Sequence, residues 1–141
     1  MRRFETTIEI DAPPARVWAI ISDVERWHEW TPSITRIERL DRGPMRVGSK
    51  ARVKQPKLAA STYEITIWEP NRGFDWVTRS GGVTGVGKHW IEPVDGGSRV
   101  TLGVEFSGAL AGVIGWLFGA LTTRYINLEA QGLKQRAEQH K

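Results

Sequence analysis

GALAGVIGWLFGAL, residues 108–121, is the least polar stretch of this 141-residue chain. It carries no charge, and the Trp116 indole is its only hydrogen-bonding side chain. Its glycines stand at 108, 112, 115 and 119. Two G-x-x-x-G patterns inside an apolar run are the mark of a dimerising membrane helix. Length argues the other way. A bilayer core takes about 20 apolar residues as helix, and this run, Ala109–Leu121, ends at Thr122, Thr123 and Arg124. A run so short is a buried core helix or an interfacial segment. It also comes too late in the chain for a secretory signal, and MRRFETTIEI, residues 1–10, has a strand pattern instead.

No proline interrupts Ala109–His140, so one long helix is expected there. At 100° per residue, Gly112, Gly115, Gly119, Thr123, Ile126, Ala130, Leu133 and Ala137 form one narrow stripe. Leu110, Ile114, Leu117, Leu121, Tyr125 and Leu128 lie opposite. After Arg124 the flanks are polar (Asn127, Glu129, Gln131, Lys134); before it they carry Val113, Trp116 and Phe118. The second half is thus amphipathic and the first half apolar all round. An all-apolar helix needs cover on every side. A sheet covers one side, leaving the short helices, a second copy of the chain or a membrane surface for the rest.

Upstream, Phe4, Thr6, Ile8 and Ile10 alternate with polar residues, a half-buried strand. Asp11, Pro13 and Pro14 announce a helix whose apolar face is Val17, Trp18, Ile20 and Ile21. Ser22 and Glu25 have capping-box spacing and start a second short helix through Trp27 and Trp30, stopped by Pro32. Six strands follow, at 34–40, 48–54, 62–69, about Phe74–Thr78, 83–92 and about Val100–Phe106. Turn signals separate several of them, among them Pro70–Gly73 and the Asp95-Gly-Gly hairpin. Consecutive antiparallel strands curl, and the long helix is long enough to lie across the concave face. Pattern alone therefore predicts an α+β fold: a curved seven-stranded antiparallel sheet, two short helices, and a long C-terminal helix enclosing a ligand-sized space.

The length fits one domain, 1–141. There is no cysteine, so disulfides and thiol chemistry are excluded, and a reducing, cytoplasmic setting is expected. Three histidines (His28, His89, His140) argue against a dedicated metal site. Net charge is +4, but eight basic residues from Arg36 to Lys57 meet only Glu38 and Asp41. Such a segment blunts a sheet edge or attracts an anionic partner. Nucleic acid is disfavoured, because no aromatics are interleaved with the cations. Gly81, Gly82, Gly85 and Gly87 open no helix, so they are a hairpin, not a dinucleotide fingerprint, and no cofactor is implied.

The succession IDAPPARVWAIISDVERWHEWTPSI, YEITIWEPNRGFDW, HWIEPVDGGSRVTLGVEFSG and the closing helix resembles the START-like, polyketide cyclase/dehydrase (SRPBCC) group of the Bet v 1-like superfamily. The likeness covers essentially the whole chain. It implies a helix-grip fold with an apolar cavity between sheet and helix. It also implies a small hydrophobic ligand such as a lipid, polyketide or aromatic, with cyclase or dehydratase activity in some members.

On that architecture Ile65, Trp76, Thr78, His89, Ile91, Leu102, Val104 and the glycines Gly112, Gly115 and Gly119 are expected to line the cavity. Trp27 and Trp30 are expected at its portal, with a plug for the open end of the sheet as the alternative. His89 and Tyr63 are the candidate acid–base pair if the protein is an enzyme. His89 as a structural histidine is the competing reading, since no carboxylate stands near it in sequence. Asp75 and Arg79 share the other face of their strand and are expected in solvent. No Ser-His-Asp set, phosphate loop or paired-carboxylate arrangement is visible. Three functions follow: non-catalytic binding or transport of a hydrophobic molecule, a cyclase or dehydratase, or lipid handling at a membrane surface. In the third, the apolar helix half and the basic 36–57 segment act together on anionic lipid. A homodimer through the same helix half is the other partner expectation.

Overall fold

The computed structural model describes residues 2–139. Strand β1 (Arg2–Ile10) leads into α1 (Pro14–Ile21) and a 3-10 helix (Val24–Glu29). Strands β2 (Arg36–Arg39), β3 (Lys50–Lys54), β4 (Ser61–Glu69), β5 (Gly73–Ser80), β6 (Val83–Val94) and β7 (Gly97–Ser107) follow, then α2 (Ala111–Glu138). The sheet is antiparallel throughout, in the order β1-β7-β6-β5-β4-β3-β2. It is a meander whose first strand returns to pair with the last. This is the α+β helix-grip arrangement expected from the alternation.

Two local expectations are corrected. Ser22 ends α1 rather than capping the next helix; the cap position there is Asp23, with no side-chain capping bond. At α1 the cap position is Pro13, not Asp11. The prolines suffice, since Pro at the first turn carries φ already set for helix. The helix expected to run to His140 ends at Glu138, and His140 lies outside the described residues.

The core sits between the sheet and the two short helices, centred on Val17, Ile21, Trp27, Phe74, Val100 and Leu133, all essentially without solvent contact. The second half of α2 is fastened there. Arg16 Nε donates to the Ala137 carbonyl at 2.7 Å, and Lys134 Nζ donates to the Glu9 carbonyl at 2.9 Å. Arg136 pairs with Glu29 at 2.7 Å. Gly132 lets the helix backbone rest on the Trp30 carbonyl, where no Cβ fits.

The glycine stripe of the first half serves the same purpose against β1. A Cβ on Gly115 would come within 2.7 Å of Arg2, and one on Gly119 within 3.1 Å of Phe4. Gly112 touches nothing and is exposed. Among the described residues no helix is long and apolar enough to cross a membrane.

Candidate functional site

A cavity of about 320 Å³ lies between the concave face of the sheet and the first two-thirds of α2. That falls at the low end of the range of small-molecule sites. Helix α2 contributes Ile114, Phe118, Leu121, Tyr125, Ile126 and Glu129. The exposed residues among the lining, Ala59 and Ser80, belong to the β3–β4 loop and the β5–β6 hairpin, so the mouth opens there. Tyr125 Oη donates to the Pro56 carbonyl and ties that loop to the helix.

The deep end is aromatic. Trp27, 1 % exposed, packs against Trp76 at 5.5 Å and against His89 at 5.3 Å between ring centroids. Its indole N–H donates to the Ile21 carbonyl at 3.0 Å. Trp27 is therefore fixed in the core rather than set at an exposed mouth, with its polar edge satisfied by α1 and its faces by rings. Trp30 packs on Trp27 at 5.5 Å, lies outside the cavity lining, and its buried Nε1 has no hydrogen-bond partner among the described residues.

His89 stacks on Phe74 at 4.3 Å, and its Nδ1 stands 3.2 Å from the Phe74 carbonyl oxygen. A carbonyl only accepts, so Nδ1 carries the proton and Nε2 is the acceptor. Burial pushes the imidazole down to about 4, outweighing the opposing pull of the Phe74 hydrogen bond and Asp75. Tyr63 packs on Trp76 at 5.0 Å, and burial lifts its hydroxyl to about 12. Both shifts move away from the neutral range where proton transfer is efficient. Trp76 contacts both rings and itself fits only because residue 87 is glycine: a Cβ there would lie 2.7 Å from the indole nitrogen.

Trp76, Thr78, His89, Leu102 and Val104 line the cavity, together with Tyr63. Ile65 and Ile91 do not; they share the concave face but are sealed in the core beyond the aromatic floor. Gly112, Gly115 and Gly119 do not either, because the glycine stripe faces β1 and solvent, leaving the neighbouring flank of α2 to face the cavity. The face opposite the glycines is divided. Ile114 and Leu121 look into the cavity, while Leu110 and Leu117 are exposed beside Val113 and Trp116, the last 80 % exposed.

Two acidic residues were misread from pattern. Asp75, expected in solvent, is 4 % exposed: Trp90 Nε1 donates to it at 2.7 Å and Lys88 pairs with it at 3.2 Å. A tryptophan on the neighbouring strand covers what strand alternation leaves open. Glu129, expected on a polar flank, is 9 % exposed and lines the cavity. Desolvation raises its carboxyl to about 8, and no hydrogen bond reaches it among the described residues. His28 is exposed, as is Arg79.

The family described as polyketide cyclase/dehydrase and lipid transport matches residues 1–138. The chain belongs to that family. Solved structures share its fold at low identity. The Zhui aromatase/cyclase from Streptomyces sp. R1128 is 18% identical, with a TM-score of 0.81 over 97% of this chain and 93% of that one. Hypothetical protein jhp0584 from Helicobacter pylori is 11% identical, with a TM-score of 0.83 over 97% and 88%. Ara h 8.0201 is 16% identical, with a TM-score of 0.72 over 96% and 97%. No curated protein matches the chain by sequence.

Proposed function

We propose that this protein binds a small hydrophobic molecule between its sheet and α2, and does so without transforming it. The cavity carries the reading: about 320 Å³, roofed by Ile114, Phe118 and Leu121 and floored by Trp27 and Trp76. Apolar walls with few polar groups select by shape and desolvation. The cyclase or dehydratase alternative would rest on His89 and Tyr63. It is disfavoured by a histidine held neutral to about 4 and by a tyrosine raised to about 12. Native mass spectrometry of protein purified from its own host tests the proposal. A bound mass that denaturation releases is expected. A cavity that stays empty across panels of lipids and aromatics refutes it.

A second reading concerns where the ligand is collected. Leu110, Val113, Trp116 and Leu117 form an exposed apolar ridge beside the mouth, with exposed Arg2, Lys57 and Arg79 at the same end of the sheet. An apolar ridge ringed by cations fits an anionic bilayer surface. Of these cations only Lys57 belongs to the basic 36–57 segment that the sequence suggested. Arg42 and Arg46 lie in the β2–β3 turn, at the far end of β3 from the loop that α2 touches. Co-sedimentation with vesicles containing phosphatidylserine at low salt is expected, and Trp116→Glu should abolish it. No binding by the native protein rejects this reading.

A further inference from the structure

Glu129 is a carboxyl group more than nine-tenths buried, it borders the cavity, and no protein donor reaches it among the described residues. Burying an acid with no partner is costly unless the group is neutral or a ligand completes it. Its surroundings narrow what that ligand is. The titratable side chains bordering the cavity are Tyr63 on β4, Lys88 and His89 on β6, and Tyr125 and Glu129 on α2. The Lys88 ammonium is committed to Asp75 at 3.2 Å, on the other face of the sheet. His89 is neutral, with its Nδ1 proton on the Phe74 carbonyl. Among the described residues the cavity therefore offers no free cation to a ligand carboxylate or phosphate. It offers one acid, the Tyr63 hydroxyl, the His89 Nε2 acceptor, and an aromatic lining of Trp27, Tyr63 and Trp76. A carboxylate in an aromatic-lined cavity is the chemistry that recognises an ammonium group.

The geometry points to a hydrophobic ligand that carries one basic amine, with Glu129 as its anchoring carboxylate. This rests on the proposed binding of a hydrophobic molecule in the same cavity and specifies its chemistry. The proton balance is fixed by the partners. The ligand enters as an ammonium ion, Glu129 gives up its carboxyl proton to solvent, and the pair leaves no net charge in the cavity. One proton is released per molecule bound. Amine affinity then rises about tenfold per pH unit in the range where free Glu129 holds its proton.

The test is isothermal titration of the full chain with three matched probes, naphthylethylamine, naphthylethanol and naphthylacetate, at neutral and mildly alkaline pH. The amine is expected to bind about tenfold or more tightly than the alcohol, the margin of one charge-assisted hydrogen bond. The carboxylate is expected to bind weakest. The amine's affinity should rise with pH while the alcohol's stays level, and Glu129→Gln should bring the two together. An alcohol that binds as well as the amine overturns the amine assignment and leaves the cavity reading standing. Failure of all three probes overturns both. The comparison within the native protein decides the matter even if the variant folds poorly.

Discussion

Glu129 and His89 set opposite pH dependences on stability, and the structure says where each acts. Burial raises the Glu129 carboxyl from 4.5 to about 8. Between those values the native state keeps a proton that the unfolded chain releases, so stability falls as pH rises. Burial lowers His89 from 6.5 to about 4. Between those values the unfolded chain takes a proton that the native state refuses, so stability rises with pH. From pH 4.5 to 6.5 the two slopes cancel. From pH 6.5 to about 8 only Glu129 acts. At about 1.4 kcal/mol per pH unit, the native protein loses about 2 kcal/mol over that window. With a urea slope of about 2 kcal/mol per molar, the unfolding midpoint drops by about 1 M. Tryptophan fluorescence reads the midpoint directly, since Trp27 and Trp76 lie in the core. Glu129→Gln should hold its midpoint level across the same window. It should also expose the His89 slope, with stability climbing from pH 4.5 to 6.5 where the native protein is flat. A native midpoint that does not move between pH 6.5 and 9, or a Gln variant that falls in parallel, would refute the reasoning.

Three further outcomes follow from the packing. Gly132→Ala places a methyl on the Trp30 carbonyl and should cost about 1–3 kcal/mol, whereas Gly112→Ala, in the first turn of α2 with nothing within 4 Å, should add about 0.4–1 kcal/mol by restricting the unfolded chain; thermal melts of the pair must differ in sign. Asp75→Ala leaves Trp90 Nε1 without its acceptor and Lys88 without its partner, and should lower stability by about 1–3 kcal/mol, read by urea titration. Tyr125→Phe releases the Pro56 carbonyl and should speed amide exchange across residues 55–60 while β6 and β7 stay protected, read by hydrogen–deuterium exchange.

The meander was legible because several strands bury one face and wet the other, so alternation shows directly in Phe4–Ile10 and Ala51–Val53, whereas β5 is buried on both faces. The site was half legible. Trp76, Thr78, His89, Leu102 and Val104 follow from the same alternation, carried across strands by register: Trp76 faces Gly87, which in turn faces Val104. What a helix wheel cannot say is which flank meets the sheet. The glycine stripe pointed to close approach, and the approach is to β1 rather than to the ligand space. With the stripe placed there, the cavity falls on the flank holding Phe118, Leu121, Tyr125 and Glu129. Glu129 had one signal available: it stands three and four residues after Ile126 and Tyr125, on the same helical face. Asp75 had none, since its cover comes from Trp90, fifteen residues away on the next strand.

The two halves of α2 thus divide the labour of the fold. From Glu129 onward the helix is bound by Gly132, Lys134, Arg136 and Ala137 to the β1–α1 junction and the 3-10 helix. Before it, the helix is held along β1 by Gly115 and Gly119, at its start by the Leu110 N–H on the Gly82 carbonyl at 2.8 Å, and by Tyr125. The mouth lies within this second set of attachments, where apolar side chains face both the cavity and solvent. Ile114 and Phe118 line the cavity while Val113, Trp116 and Leu117 face solvent. The apolar run at 108–121 thus lines the cavity on one face and is wet on another, and the carboxyl that would hold the ligand sits where the firmly fastened half begins.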